Sequence, residues 1–358
     1  MTNKLIIHNF KCFKHAEFIL PNLTVLVGAN GMGKSTVIQS LLLMRSAFED
    51  HCDLVRLNGP YGLFLGTNTS VLNQEADSDE ISLTMTDDNN KLLLQVEFVS
   101  NSQEEILGLE RKRLLSDTLE GLRSVEFYFL AAERTGPRVA QKIVPLEFLN
   151  TGIYGEHAGQ ILADRYLKID ESRQHASVPS PYLLPHVNAW LNEIVPGAEV
   201  IAEQSMSMQT CQIRSRNRKS MDFVESTNIG FGISYALPII IQGLIASKGS
   251  FFIVENPEAH LHPAAQTAMG KFLAMISNCG VRVIIETHSD HLLDGIQLYS
   301  SNYTEMRKDI VIYYFGLNEE QQHEIRAIRY DEDFDYTEWP KGFMDQTNIN
   351  YKEFIENR

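Results

Sequence analysis

Only four cysteines occur in the 358 residues, Cys12, Cys52, Cys211 and Cys279, and no two of them form a CxxC pair. That spacing argues against a zinc ribbon or a disulfide frame and fits reduced thiols in a cytosol, bacterial or archaeal. No apolar run reaches the roughly 20 residues that a membrane span needs. The longest, Ala236 to Ile245, contains Pro238 and Gln242 and reads as a buried helix. Polar or charged residues interrupt the opening MTNKLIIHNFKCFK every few positions, so no secretion signal is expected there. Positive charge is scarce: 31 Lys and Arg stand against 46 Asp and Glu, a net charge of -15. Such a surface repels a polyanion over most of its area and leaves room only for local basic patches. Repeats and low-complexity tracts are absent as well. With 44% hydrophobic and 22% charged residues, the composition is that of a cytoplasmic globular protein, with one large domain or one domain carrying an inserted lobe.

Short β-branched and aromatic runs predict strands at Leu5 to Ile7, Leu23 to Val27, Phe251 to Val254, Val281 to Ile285 and Ile310 to Phe315. Ile81 to Met85 and Leu92 to Phe98, separated by a turn-rich Asp-Asp-Asn-Asn-Lys, predict an antiparallel hairpin. Helical patterns follow two strands, at Lys34 to Phe48 and at Pro263 to Ser277, the latter with proline at its start and Gly280 beyond its end. Strand-loop-helix alternation predicts an α/β core. Six prolines between 137 and 196 weaken the pattern, and the segment 136–225 is expected to be an inserted, mainly helical lobe. The expected division is therefore 1–135 and 226–330 as two parts of one head, 136–225 as the insertion and 331–358 as a C-terminal element.

Gly28-Ala29-Asn30-Gly31-Met32-Gly33-Lys34-Ser35-Thr36 matches G-x-x-x-x-G-K-[ST], after a predicted strand and at the opening of a predicted helix. In such a loop small residues let backbone N–H groups wrap a β-phosphate, the helix N-terminus adds partial positive charge, Lys34 reaches β and γ oxygens, and Ser35 ligates magnesium. A carboxylate at the end of a neighbouring strand completes the metal site, and Phe251-Phe252-Ile253-Val254-Glu255 supplies it in Glu255. The next strand ends in Glu286-Thr287-His288-Ser289-Asp290, which makes His288 a candidate γ-phosphate sensor.

Taken together with Asn9-Phe10-Lys11-Cys12-Phe13, the stretch Ala132 to Arg138, Glu255 to Pro263 and Trp339 to Gln346, these residues resemble compact bacterial AAA-family ATPases with an ABC-type head, of the SMC, RecF and OLD kind. The resemblance covers nearly the whole chain. It implies a P-loop NTPase of ABC-ATPase type, with a mixed sheet, an antiparallel lobe and an inserted helical lobe. It implies ATP and Mg2+ as ligands, and two heads of a homo-oligomer closing around ATP, each presenting a signature loop to the other's nucleotide. Asn228-Ile229-Gly230-Phe231-Gly232-Ile233-Ser234 takes that part here, with Gly230, Gly232 and Ser234 at the contact. The loop lacks a full serine-glycine-glycine signature, so a plain glycine helix cap stays open as a reading.

The resemblance also marks a departure. Relatives read Asp-Glu-Pro-Glu after the hydrophobic strand, whereas this chain reads Glu255-Asn256-Pro257-Glu258. An amide orients water but does not accept its proton, so slow hydrolysis is expected unless Glu258 or His288 substitutes. Three motifs carry rival readings. His260, His262, His288 and His291 with their neighbouring acids read as metal ligands or as loops at a subunit contact; Asp331-Glu332-Asp333 reads as a nuclease-like acidic pair or a solvated turn; Arg111 to Arg113 and Arg214 to Lys219 read as nucleic-acid contacts or solvated runs. The stretch between Thr36 and Gly232 is too short for the long coiled coil of chromosome-organising members.

The expected function is an ATP-dependent switch or sensor for a separate effector protein, such as a nuclease or toxin, in phage defence or DNA maintenance. Two alternatives stand beside it: a non-hydrolysing ATP-dependent scaffold that holds such a partner, and a repair protein that binds DNA directly. No membrane partner is expected.

Overall fold

The computed structural model describes residues 2–50, 52–100, 105–116, 126–218, 221–228, 230–318, 320 and 322–356. Two compact units emerge, one from Met1–Ser124 with Arg307–Arg358 and the other from Val125–Met306.

In the first unit, Asn3–Phe10 alternates buried and partly exposed positions and pairs antiparallel with Phe13–Leu20 on one side and Glu80–Asp87 on the other. The predicted hairpin is present: Glu80–Asp87 pairs with Leu92–Val99, which pairs with Gly108–Leu115. Strand Leu23–Gly28 behaves differently. Its first five residues are buried, as in a strand covered on both faces, and it pairs in parallel with Ile310–Leu317. The Tyr313 hydroxyl locks the two layers, accepting from Ile19 N–H at 2.7 Å and donating to its carbonyl at 3.1 Å. Around Tyr330, Phe334 and Phe343 the C-terminal stretch buries an aromatic cluster before the helix Gln346–Glu356.

Three parallel strands, Phe127–Leu130, Phe251–Glu255 and Arg282–Glu286, form the centre of the second unit. Their apolar residues are buried almost without exception, and they bring Glu255 level with Glu286 at their C-terminal ends. Helices Phe231–Ile245, Pro263–Asn278 and Asp290–Ser300 belong to the same unit. The last two cross at Gly270 and Gly295: a Cβ added to either glycine would lie 3.1 Å from the other's Cα.

The segment 136–225, expected to be mainly helical, is mixed. Helices Ala158–Leu162 and Leu183–Ile194 accompany an antiparallel sheet of Glu199–Ser205, Thr210–Arg216, Val224–Glu225 and Gln141–Lys142. In the strand Thr210–Arg216 the buried positions, Cys211 and Ser215, are small, so it carries little of the β-branched and aromatic alternation that marks a strand.

Candidate functional site

The first half of the candidate residues grows from strand Leu23–Gly28, whose chain turns sharply into helix Lys34–Glu49. Gly28, Gly31 and Gly33 adopt φ of 129°, 78° and 104°, a region closed to most residues with a Cβ. At Gly28 a Cβ would overlap the Phe315 carbonyl oxygen; at Gly33 it would press on the Phe13 ring at 2.8 Å and the Cys12 sulfur at 2.9 Å. Gly33 offers no capping side chain, so the helix opens on backbone groups and its dipole. Asn30, Gly31 and Ser35 are exposed, while Lys34 and Thr36 are buried. The Lys34 ammonium curls over the loop, donating to the carbonyls of Gly28 at 2.9 Å and Ala29 at 2.8 Å. A small-residue loop, a dipole end, a mobile-stemmed cation and an exposed hydroxyl fit a polyphosphate with its magnesium.

The other half of the candidate residues lies at the C-terminal ends of the parallel strands Phe251–Glu255 and Arg282–Glu286. Glu255 Oε2 accepts from the Ala132 N–H at 3.1 Å. Burial, reinforced by the neighbouring Glu286 carboxylate, pushes the Glu255 carboxyl up to about 7. Asn256 takes a left-handed φ of 43° and its N–H donates to the Glu286 carbonyl at 2.8 Å. Asparagine tolerates this conformation better than glutamate does. Glu258 spends both carboxylate oxygens on the adjacent loop, accepting from Thr287 Oγ1 at 2.8 Å and from His288 N–H at 2.9 Å. His288 itself is exposed. Ser289 then caps helix Asp290–Ser300 by accepting from Leu292 N–H, and donates to Gln266 at 2.6 Å.

One residue of this half is more central than sequence reasoning made it. Arg134 is 2% exposed and spreads its guanidinium over three carbonyls: Ala131 at 3.0 Å, Glu255 at 2.7 Å and Asn256 at 2.7 Å. Its face lies 5.1 Å from the Tyr235 ring. Burial depresses the guanidinium to about 10 against the pull of Glu258, Tyr235 and Glu255. Two parallel strands that both end in glutamate, Glu255 and Glu286, are the sequence signal for the carboxylate pair.

The signature stretch also lies in this unit. Helix Phe231–Ile245 starts from Gly230, where an added Cβ would meet nothing within 4 Å, while at Gly232 it would come 3.0 Å from the His260 carbonyl. Gly232 is thus the position where side-chain absence permits close approach. The half-exposed Phe231 and Tyr235 flank the His260 ring at 5.4 and 4.5 Å, and Ser234 lines a small cavity beside Thr135 and Pro238. Ile229 lies outside the described residues.

Among the described residues no group of three His, Cys, Asp or Glu could hold a metal ion. Asp331 accepts from the N–H groups of Asp333 and Asp335, as a turn does. In the basic runs, Arg111 donates to the carbonyls of Ala47 and Asp50, Lys112 pairs with Glu80, Arg214 donates to the Phe223 carbonyl and Arg216 pairs with Glu199. Lys219 lies outside the described residues. No helix among them is long and apolar enough to cross a membrane.

A family described as AAA ATPase domain matches residues 1–150 and 168–293. No curated protein matches the chain. Solved structures of similar fold include an Smc head bound to the C-terminal winged-helix domain of ScpA, with a TM-score of 0.53, 11% identity, and coverage of 92% of this chain and 98% of that one. Another is an Smc head with an extended coiled coil bound to the C-terminal domain of ScpA derived from Pyrococcus furiosus, with a TM-score of 0.53, 11% identity, and coverage of 99% and 100%. These matches fix the architecture as an ABC-type head.

Proposed function

The chain belongs to the AAA ATPase domain family and is an ATP-binding ATPase with an SMC-like head; from that premise we propose that it is a slow, ATP-driven switch whose closed, two-headed state controls a separate effector protein. Lys34 grips the β and γ oxygens, the backbone from Asn30 to Thr36 surrounds the phosphates, and Ser35 with Glu255 holds magnesium, which supplies charge neutralisation at the transferring phosphoryl group. Gly230, Gly232 and Ser234 face the nucleotide of a second copy. His288 reads the γ-phosphate.

The observation that carries the slow turnover is the acid loop itself. Where a base would stand there is the Asn256 amide, and the next carboxylate along, Glu258, is committed to Thr287 and His288. Neither is set up to take a proton from water. Long-lived nucleotide-bound dimers follow, which suits a switch better than a motor. The same loop favours the non-hydrolysing scaffold as a second reading. Direct DNA binding draws less support, since the basic runs are largely engaged within the protein.

Calorimetric titration with Mg-ATP, light scattering for mass, and phosphate release test the proposal, each against Lys34→Ala. Binding heat, ATP-dependent doubling of mass and turnover well below one per second are expected, all lost in the variant. Tens of turnovers per second would sink the switch reading, and no heat with the intact protein would sink the whole assignment.

A further inference from the structure

The antiparallel sheet of the second unit ends in an edge that is only half closed. Strand Glu199–Ser205 pairs on one side with Thr210–Arg216, and among the described residues no strand pairs with its other side. Val200 is buried, but its main-chain groups point away from the ladder, and Asn188 satisfies them in the manner of a strand: Val200 N–H donates to Asn188 Oδ1 at 2.8 Å, and the Val200 carbonyl accepts from Nδ2 at 3.0 Å. By the two-residue period of a strand, Ala202 and Gln204 present their N–H and carbonyl groups to the same side. There the amide cap stops and a groove of about 970 Å³ begins, lined by Ala202, Glu203 and Gln204.

The opposite wall is held apart from the strand by a second amide. Gln160 accepts from Val144 N–H at 3.0 Å and donates to its carbonyl at 2.7 Å, fixing the loop that carries Leu146 and Leu149. Ile161 contributes apolar lining from helix Ala158–Leu162, and Leu149 is 43% exposed. The charged residues lining the groove are Asp164 and Glu203 against Arg165, two acids to one base, with exposed Glu147 and Lys168 beside it offsetting each other.

We propose that this groove binds an extended segment of a partner protein, which adds a short strand beside Ala202 and Gln204, places apolar side chains at alternate positions against Leu146, Leu149 and Ile161, and carries a lysine or arginine facing Asp164 and Glu203. Unpaired edge groups call for an extended backbone, because only a strand offers donors and acceptors at matching spacing. The acidic rim calls for a basic residue, and the chain's own charge of -15 disfavours a second copy as occupant. The proposal is independent of the nucleotide chemistry.

Panning a phage-displayed library of random heptapeptides on the full chain, followed by fluorescence polarisation with the selected sequences, provides the test. The expected sequences alternate apolar residues and include a lysine or arginine. Ala202→Pro deletes one outward N–H without touching the ladder to Thr210–Arg216, so it should weaken binding at least tenfold; Glu203→Lys should weaken it several-fold and flatten its salt dependence. If Ala202→Pro melts early, Leu149→Asp on the exposed wall gives the same readout. Failure to select any peptide, selection of helical ones, equal binding by the variants, or self-association through the groove would each overturn the proposal.

Discussion

Replacing Arg134 by methionine tests whether this guanidinium holds the acid loop together. Burial lowers the guanidinium to about 10 even against the pull of its acidic neighbours, a cost to the charge on the order of 3 kcal/mol. Against this stand three hydrogen bonds from a charged donor, each about 1.5–3 kcal/mol, and a cation–π contact of about 1 kcal/mol with Tyr235. The native balance is therefore favourable by a few kcal/mol. Methionine fills much of the volume but leaves three carbonyls without their donor, so a loss of about 3–5 kcal/mol is expected. In urea, followed by circular dichroism, that is a fall in midpoint of about 1–2 M. Arg134→Lys should recover less than half, since one ammonium cannot span the carbonyls of Ala131, Glu255 and Asn256 together. If both variants unfold within about 1 kcal/mol of the parent, the clamp assigned to Arg134 is wrong.

Glu286→Gln should lower the Glu255 carboxyl from about 7 toward its ordinary range, because it removes one of the two causes of the rise. In the parent the folded state holds the proton more tightly than the unfolded one, so stability should fall by roughly 3 kcal/mol as pH rises from about 4.5 to about 7, while magnesium-dependent nucleotide affinity, which needs the ionised carboxylate, should rise from pH 6 to pH 8. Melting and calorimetry across that range should show both slopes reduced in the variant; unchanged slopes contradict the assignment. Asn256→Glu should raise phosphate release at least tenfold by supplying a base, and should lower stability by about 1 kcal/mol because of the left-handed backbone. An unchanged rate would mean that something other than the missing acid limits turnover. Gly28→Ala should give little folded protein, since its methyl group collides with the Phe315 carbonyl; a soluble variant with the parent's melting temperature refutes that packing.

Much of the phosphate half was legible because its signal is local. Strand, glycine loop, lysine and helix follow one another within 27 residues, from Leu23 to Glu49, and each element has its own periodicity. The acid half was legible only at its strand ends. Asn256 could be read as an amide where an acid is usual, but the commitment of Glu258 depends on Thr287 and His288, which lie 29 and 30 positions away. Arg134 contacts carbonyls 121 and 122 positions distant, and no local pattern in Ala132 to Arg138 announces those partners. The strands of 199–216 stayed hidden for a different reason. Their buried sides hold only Val200, Ala202, Cys211 and Ser215, and of these only valine is a strong strand former.

The meeting of Gly270 with Gly295 has a mechanical consequence. Elsewhere helices touch through side chains that tilt and absorb small displacements; here two main chains abut with nothing between them to yield. Helix Pro263–Asn278 springs from the loop of His260 and His262, and helix Asp290–Ser300 from that of His288. Any movement that opens a gap or forces an overlap between these two helices therefore meets no side chain able to absorb it.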